Sequence, residues 1–157
     1  MLSIAALTKY VLAALVAWLP AAPKPLLDDV ASAVAEASNG DVRLATELAA
    51  LGLEESHYAE WVIDGRCNSG TWRSSPEAAP MLKLGTCDGS HAFGAWQMHH
   101  YEGGAPVEDL LDLHAGARAA AALWKVNPAL WTPHKRAIAR AQAWRAAQPV
   151  AKAGTSE

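Results

Sequence analysis

The clearest helical stretch of the sequence is DVRLATELAALGLEES, residues 41–56. Asp41 is placed as the N-cap of a helix, and three leucines at steps of four and three residues fall on one helical face: Leu44, Leu48 and Leu51. Four residues further along this face comes Glu55. An ionisable carboxyl group is therefore expected at the end of an apolar row.

The position of Glu55 points to acid–base chemistry. Leucine side chains behind a carboxyl group exclude water, and because this disfavours the charged form, the pKa of Glu55 is expected to rise. A carboxyl group that keeps its proton near neutral pH can act as a general acid. The alternative is that Glu54 is the exposed neighbour and that Glu55 only ends the row near water.

Length and composition favour a single, mainly α-helical domain. The chain has 157 residues, of which 52% are hydrophobic and 18% charged, so it can bury a core. Alanine is abundant, β-branched residues are sparse, and there are seven Trp against one Phe. The formal net charge of −3 excludes the basic surface typical of nucleic-acid-binding proteins, so nucleic acid is not an expected partner.

Further helices are predicted on both sides of residues 41–56. Apolar residues at helical spacing predict a helix over residues 26–37, which Asn39-Gly40 ends. Residues 93–98 are expected to form one or two helical turns. A strong helix is predicted from Pro106 to about residue 126, and Thr132-Pro133 precedes a last, basic helix to about residue 147.

Residues 62–92 are rich in turn signals and predict an irregular lobe that has room for a short hairpin. The lobe contains both cysteines, Cys67 and Cys87. A disulfide between them would close a loop of about 21 residues and stabilise the fold by roughly 3 kcal/mol. Two free, buried thiols are the equal alternative. A disulfide would imply an oxidising compartment.

The chain is expected to comprise an N-terminal helix over residues 1–22, a domain over residues 23–148 and a flexible tail over residues 149–157. Residues 2–19 are nearly all apolar, and three interpretations compete. They are a secretory signal, a membrane anchor of marginal length, and a soluble helix that Pro20 ends and that packs on the domain. Membrane contact is thus an alternative for this segment.

Three short motifs, in order along residues 41–125, resemble the lytic transglycosylases and goose-type lysozymes. Glu55-Ser56-His57-Tyr58 resembles their Glu-Ser-x-aromatic motif, whose Glu is the catalytic acid. SHAFGAWQM, residues 90–98, is similar to the segment with Gly, two apolar residues and Gln that lines the sugar-binding cleft. LHAGAR, residues 113–118, resembles the following helix, in which a Gly-Ala pair packs under the cleft.

The resemblance implies a lysozyme-like fold and cleavage of peptidoglycan between N-acetylmuramic acid and N-acetylglucosamine, with Glu55 as acid and then base and with no metal or cofactor. In transglycosylases the 6-hydroxyl of the sugar closes a 1,6-anhydro ring, so no second carboxylate is required. In hydrolysing relatives, Asp residues orient a water. Asp64 and Asp88 are the candidates for that role, although turn formation explains both.

The resemblance also implies contacts to the sugar. Gln97 is expected to hydrogen-bond to an N-acetyl group, and Ser56 to hold either Glu55 or the sugar. Tyr58 has the aromatic position of the motif, where a core ring is the usual role, and Trp96 is either packing or a sugar platform. The remaining substrate-binding candidates are Ser90, Gly94 and Tyr101.

The sequence departs from the family pattern in one motif. The family commonly has an Ala-Tyr-Asn motif on a later helix, whose Tyr hydroxyl touches the acid, and no Tyr follows Gly116 here. Tyr101, Trp131 and His134 are the candidates to take its place. The protein could accordingly be a divergent or an inactive member.

Two other classes remain open. One is a non-catalytic wall-binding or virion structural module that keeps the cleft. The other is a zinc- or thiol-dependent enzyme, suggested by a group of four residues: Cys87, His91, His99 and His100. The stripe formed by Lys135, Arg136, Arg140 and Arg145 is typical of a solvated helix face, and the alternative is contact with an acidic surface such as anionic lipid or wall polymer.

The expected partner is the peptidoglycan glycan strand. A protein with this activity must reach the wall, so we expect it in the cell envelope or periplasm, outside the cell, or delivered by a phage. We expect a monomer unless the chain belongs to a phage or cell-envelope assembly.

Overall fold

The computed structural model describes residues 1–85, 87, 89, 91–101 and 104–148, and it is mainly α-helical, as the sequence predicts. The described helices are α1 (Ile4–Trp18), α2 (Lys24–Ser38), α3 (Val42–Ser56), α4 (Glu60–Ile63), α5 (Gly70–Arg73), α6 (Ala78–Leu82), α7 (Val107–Leu111), α8 (Leu113–Val126) and α9 (His134–Ala147). Short 3-10 turns cover Arg66–Asn68 and Pro128–Leu130. Strands β1 (Ala92–Phe93) and β2 (Met98–His99) pair in antiparallel fashion, with Ala92 opposite His99.

Helix α3 is the centre of the fold. It begins at Asp41, whose Oδ1 accepts a hydrogen bond from the Leu44 backbone N–H at 3.0 Å, so the predicted N-cap is present. Every residue from Leu44 to Leu53 is buried, rather than the leucine face alone. Small residues between the leucines let helices α1, α2, α8 and α9 pack around it. Helix α3 is therefore a core helix and not an amphipathic surface helix.

Burial of α3 also takes Glu47 out of solvent. Its Oε1 accepts a hydrogen bond from Arg43 Nε at 3.0 Å, and its Oε2 accepts one from Trp124 Nε1 at 3.0 Å. Arg145 Nη2 lies 3.6 Å from Oε1. A buried carboxylate is costly unless it is paired and hydrogen-bonded, and the two hydrogen bonds together with the nearby Arg145 charge meet that requirement.

Helix α1 packs into the same core. Its residues Leu7, Val11, Ala14 and Leu15 are fully buried, and it lies against α2 and α3. Helix α1 therefore shares one hydrophobic core with the helices of the domain that was expected to begin at residue 23. None of the described helices is both long enough and apolar enough for a membrane span.

Two predictions of local structure are wrong. Residues 93–98 are not helical but belong to a hairpin whose turn is residues 94–97, because Gly94 and Gln97 have positive φ angles of 71° and 45°, which a helix does not contain. The hairpin thus follows the expected lobe, which holds α4, α5 and α6 instead. The helix predicted after Pro106 is divided in two, because Asp112 is extended and its Oδ1 accepts a hydrogen bond from the Ala115 N–H at 2.7 Å.

Cys67 and Cys87 are joined by a disulfide, with their Cα atoms 6.0 Å apart. Beside it, the rings of Trp61 and Trp72 stack at 5.4 Å, and Arg73 Nη1 donates a hydrogen bond to the Cys67 carbonyl oxygen at 3.3 Å. This small second core holds the lobe together. The disulfide also removes Cys87 as a thiolate ligand, on which the zinc alternative depends.

Gly94→Ala is expected to lower the free energy of unfolding by about 3 kcal/mol. A Cβ atom at this position would overlap the Leu110 carbonyl oxygen, and the φ angle of 71° is itself unfavourable for alanine. Gly70→Ala is the matched control, because among the described residues, apart from the glycine's own neighbours in the chain, no atom lies within 4 Å of the added Cβ. Urea denaturation measures both variants, and equal effects would contradict the proposed constraint at Gly94.

Candidate active site

A groove of about 770 Å³ opens at the C-terminal end of α3. Its walls come from α3, from the hairpin, from the segment before α9 and from the disulfide-bonded lobe. The lining residues are Glu54, Glu55, Gly85, Cys87, Gln97, Met98, His99, Tyr101, Leu123, Leu130, Trp131, Thr132, Pro133 and Arg136. Both polar and apolar groups thus line one opening.

Glu55 reaches this groove because α3 ends immediately after it. The Ser56 hydroxyl donates a hydrogen bond to the Gly52 carbonyl at 2.9 Å and accepts one from the Tyr58 N–H at 3.1 Å. His57 and Tyr58 have positive φ angles of 50° and 51°, which turn the chain sharply. The half-buried Glu55 side chain is therefore held at the edge of the groove by a closed turn.

Tyr58 stabilises this turn by contacts with the buried part of α3. Its hydroxyl donates a hydrogen bond to the Ala49 carbonyl at 2.9 Å, and its ring packs over Gly52, where a Cβ atom would overlap it. Burial raises the pKa of the Tyr58 hydroxyl, so this group stays a neutral donor. Tyr58 is thus the core ring that its position in the motif indicates.

Two indole groups attach the other walls to α3. Trp96 is buried, and its Nε1 donates a hydrogen bond to the Leu48 carbonyl at 3.0 Å, which ties the hairpin turn to α3. Trp131 Nε1 in turn donates to the Trp96 carbonyl at 2.8 Å. Trp96 therefore serves as packing and does not line the groove.

Gln97 is oriented within the same turn. Its Nε2 donates a hydrogen bond to the Gly94 carbonyl at 2.9 Å, and its backbone N–H donates to the same oxygen at 3.1 Å. The side chain is buried and lines the groove together with Glu55. The structure thus brings the predicted acid and the predicted N-acetyl contact to one cavity.

Glu54 is not the exposed neighbour that the sequence suggested. Its side chain is 12% exposed, and its carboxylate accepts hydrogen bonds from Arg136 Nε at 2.9 Å and from Arg140 Nη2 at 2.7 Å. Burial raises the pKa of Glu54, but the hydrogen bonds and charges of the two arginines outweigh it and leave that pKa below its usual value. Glu54 is accordingly a charged wall of the groove.

The other expected site residues have different positions. Tyr101 lines the groove, whereas Ser56 and Gly94 lie behind it with their polar groups bonded inside the fold. Asp64 does not line the groove, because its carboxylate is paired with Arg66 Nε at 2.8 Å. Asp88 and Ser90, like the expected tail at residues 149–157, lie outside the described residues.

The three candidates to replace the missing family Tyr differ in whether they line the groove. Tyr101 and Trp131 line the groove, but the Trp131 Nε1 already donates to the Trp96 carbonyl. His134 does not line it, and its Nδ1 lies 2.7 Å from the Trp131 carbonyl oxygen. Tyr101 is therefore the one of the three with a phenol hydroxyl at the groove.

Sequence reasoning missed Glu54 and Arg136 as groove residues. A signal was present, since Arg136 and Arg140 are four residues apart and share one face of α9. The interpretation of this face as solvated was incomplete, because Arg136 and Arg140 pair with Glu54, and Arg145 lies within 3.6 Å of the Glu47 carboxylate.

Comparison of the chain with known protein families, with curated proteins and with solved structures finds no match. The groove's own side chains are therefore the basis on which its chemistry is assigned.

Glu54→Gln is expected to lower the free energy of unfolding at pH 7 by about 1–2 kcal/mol, because two charge-assisted contacts become neutral ones. The lowered pKa of Glu54 in the fold means that its charge stabilises the protein above the unfolded pKa of about 4.3. This stabilisation is lost as the pH falls through the lower folded pKa.

Variant and parent should therefore converge in stability as the pH falls below about 4 in urea denaturation. Asp29→Asn is the control, because Asp29 is exposed and forms no ion pair with the described residues. If Glu54→Gln lowers the free energy of unfolding by the same amount at low pH as at pH 7, the charge of Glu54 is not the cause of its stabilising effect.

Proposed function

We propose that the groove binds a peptidoglycan strand and that Glu55 is the acid that cleaves it. One observation carries this proposal: a half-buried carboxyl group lines a groove of about 770 Å³ together with the Gln97 amide and the Tyr101 ring. A cavity of this size lies within the ~300–1,000 Å³ range of pockets that enclose organic ligands. The motif resemblance around Glu55 supplies the substrate class.

The lining suits a sugar with an N-acetyl group. Gln97 lines the groove, and a primary amide contains the donor and acceptor atom types that pair with an acetamido group. The apolar face of a sugar ring can pack on Tyr101 and Leu130, which are 59% and 60% exposed and lie at the same opening. Polar and apolar side chains therefore line the same opening.

The proposed reaction begins with proton transfer from Glu55 to the glycosidic oxygen of the bond after N-acetylmuramic acid. The bond between the sugar C1 atom and this oxygen breaks, and N-acetylglucosamine leaves with the proton. The 6-hydroxyl of N-acetylmuramic acid then attacks C1, and Glu55, now a carboxylate, accepts the hydroxyl proton. The product is a 1,6-anhydro sugar, no water is consumed and Glu55 regains its starting state.

The surroundings of Glu55 favour this transglycosylation over hydrolysis. Hydrolysis requires a second carboxylate that orients water or meets the positive charge at C1. Asp64 is paired with Arg66 away from the groove, and Glu54 is neutralised by two arginines. Among the described residues no carboxylate other than those of Glu54 and Glu55 lines the groove. A hydrolytic lysozyme is the alternative outcome, and a non-catalytic wall-binding module is the other.

This function would place the protein where peptidoglycan is accessible. The cell envelope or periplasm, the exterior of the cell, and delivery by a phage all meet that requirement. The Cys67–Cys87 disulfide is compatible with each of these oxidising settings.

Glu55→Gln is expected to reduce the release of soluble muropeptides by about 10³-fold while leaving binding to insoluble peptidoglycan unchanged, because the amide has no proton to donate. Glu60→Gln is the control, since Glu60 is an exposed carboxylate that does not line the groove. Mass spectrometry identifies the products. Anhydro-muropeptides would support the transglycosylase, reducing ends would indicate a lysozyme, and unchanged peptidoglycan would favour the binding module.

Tyr101→Ala is expected to raise KM for peptidoglycan about 5-fold with little change in kcat, because the lost ring contact contributes to binding rather than to the reaction. Tyr101→Phe keeps the ring and removes the hydroxyl. If Tyr101→Phe instead lowers kcat, then the hydroxyl takes the part of the missing family Tyr and the ring contact is not the main role.

A further inference from the structure

Two guanidinium groups share one carboxylate on the wall of the groove. Glu54, Arg136 and Arg140, here called the Glu54 cluster, join α3 to α9 through hydrogen bonds of 2.7–3.0 Å. Each Arg is always charged, and the pKa of Glu54 is held low, so one positive charge within the cluster is uncompensated. This charge lies on a chain whose formal net charge is −3.

Arg136 carries this excess charge into the groove. It lines the cavity together with Glu55, whereas Arg140 does not. Its side chain is 68% exposed, and only its Nε hydrogen-bonds to a described residue, the Glu54 carboxylate. The two terminal nitrogens of Arg136 therefore keep their donors for a ligand.

The contact with Glu54 also orients the Arg136 side chain. A guanidinium group whose Nε is fixed presents its remaining donors in a planar fork, which matches the two oxygens of a carboxylate. Because the fork is already held in place, little side-chain freedom is lost when a ligand binds. The groove that contains the proposed acid thus also contains a preformed site for a carboxylate.

We propose that Arg136 binds a carboxylate carried by the sugar whose bond is cleaved, on its peptide substituent or, where no peptide is attached, on its lactyl group. This inference rests on the proposed function and specifies its substrate. The groove should then prefer an acidic, muramic-acid-containing strand over a neutral glycan with the same sugar backbone. Glu54 acts as a positioning residue for Arg136.

Binding measured by calorimetry tests this directly, in a Glu55→Gln background that prevents turnover. The probes are muropeptide oligomers with free carboxylates, the same oligomers with those carboxylates converted to methylamides, and peptide-free oligomers that keep only the lactyl carboxylate. We expect the amidated form to bind about 10-fold more weakly than the free form. The peptide-free form carries the lactyl carboxylate, which is amide-bonded in the peptide-bearing oligomers. It binds like the free form if Arg136 also accepts a lactyl carboxylate, and like the amidated form if Arg136 contacts only peptide carboxylates.

Adding Arg136→Gln should abolish the difference between free and amidated oligomers by weakening only the free form. Lys135→Gln is the matched control, because it removes the same charge from an adjacent exposed residue that does not line the groove. Arg136→Lys keeps the charge without the fork and should retain only part of the preference. A thermal melt checks that each variant is folded.

Equal affinity for free and amidated oligomers in the Glu55→Gln protein would overturn the inference while leaving the proposed function in place. Retention of the preference after Arg136→Gln would overturn it as well. Failure to bind any of the oligomers would instead reject the proposed function, and the inference with it.

Discussion

The fold depends on a helix that is buried on every side. Helix α3 is surrounded by α1, α2, α8 and α9 from Leu44 to Leu53, so its axis and rotation are fixed by close packing. The side chains that follow the buried segment then have little freedom of direction. Glu54 and Glu55 are the first residues beyond Leu53, and both line the groove because the helix that carries them cannot move.

The remaining walls are located relative to this helix by polar contacts. Trp96 bonds to the backbone of α3, Trp131 bonds to the backbone at Trp96, and α9 pairs with α3 through Glu54. Large aromatic side chains with one N–H donor are well suited to this, because they add buried area and fix a direction at the same time. This use of indole groups explains part of the high Trp content, which sugar stacking alone would not require.

The sequence was sufficient where local rules decide the structure. The start of α3 at Asp41 and the end of α2 before the left-handed Asn39 follow from capping chemistry. It was insufficient where distant residues decide. The hairpin turn at residues 94–97 depends on Gly94 packing against the Leu110 carbonyl, and the state of Glu54 depends on Arg136, 82 residues away in the chain. Neither contact can be predicted from the spacing of residues within one segment, because each joins two segments that are distant in the sequence. The all-round burial of α3 was likewise hidden, because its leucine row alone indicates one apolar face.

Adjacent carboxylates on one helix can serve different purposes when their environments differ. Consecutive helical residues point about 100° apart, so Glu54 and Glu55 reach different parts of the same groove. The arginines on α9 keep Glu54 ionised, which makes it unable to deliver a proton, and they also cancel the repulsion that its charge would exert on a neighbouring carboxylate. In the proposed reaction Glu55 must gain and lose a proton within one turnover. Because the charge of Glu54 is constant and neutralised by the arginines, it does not oppose either change at Glu55. The excess guanidinium then remains for the substrate. Recognition of an acidic glycan and the separation of roles between the two acids would thus come from the same three side chains.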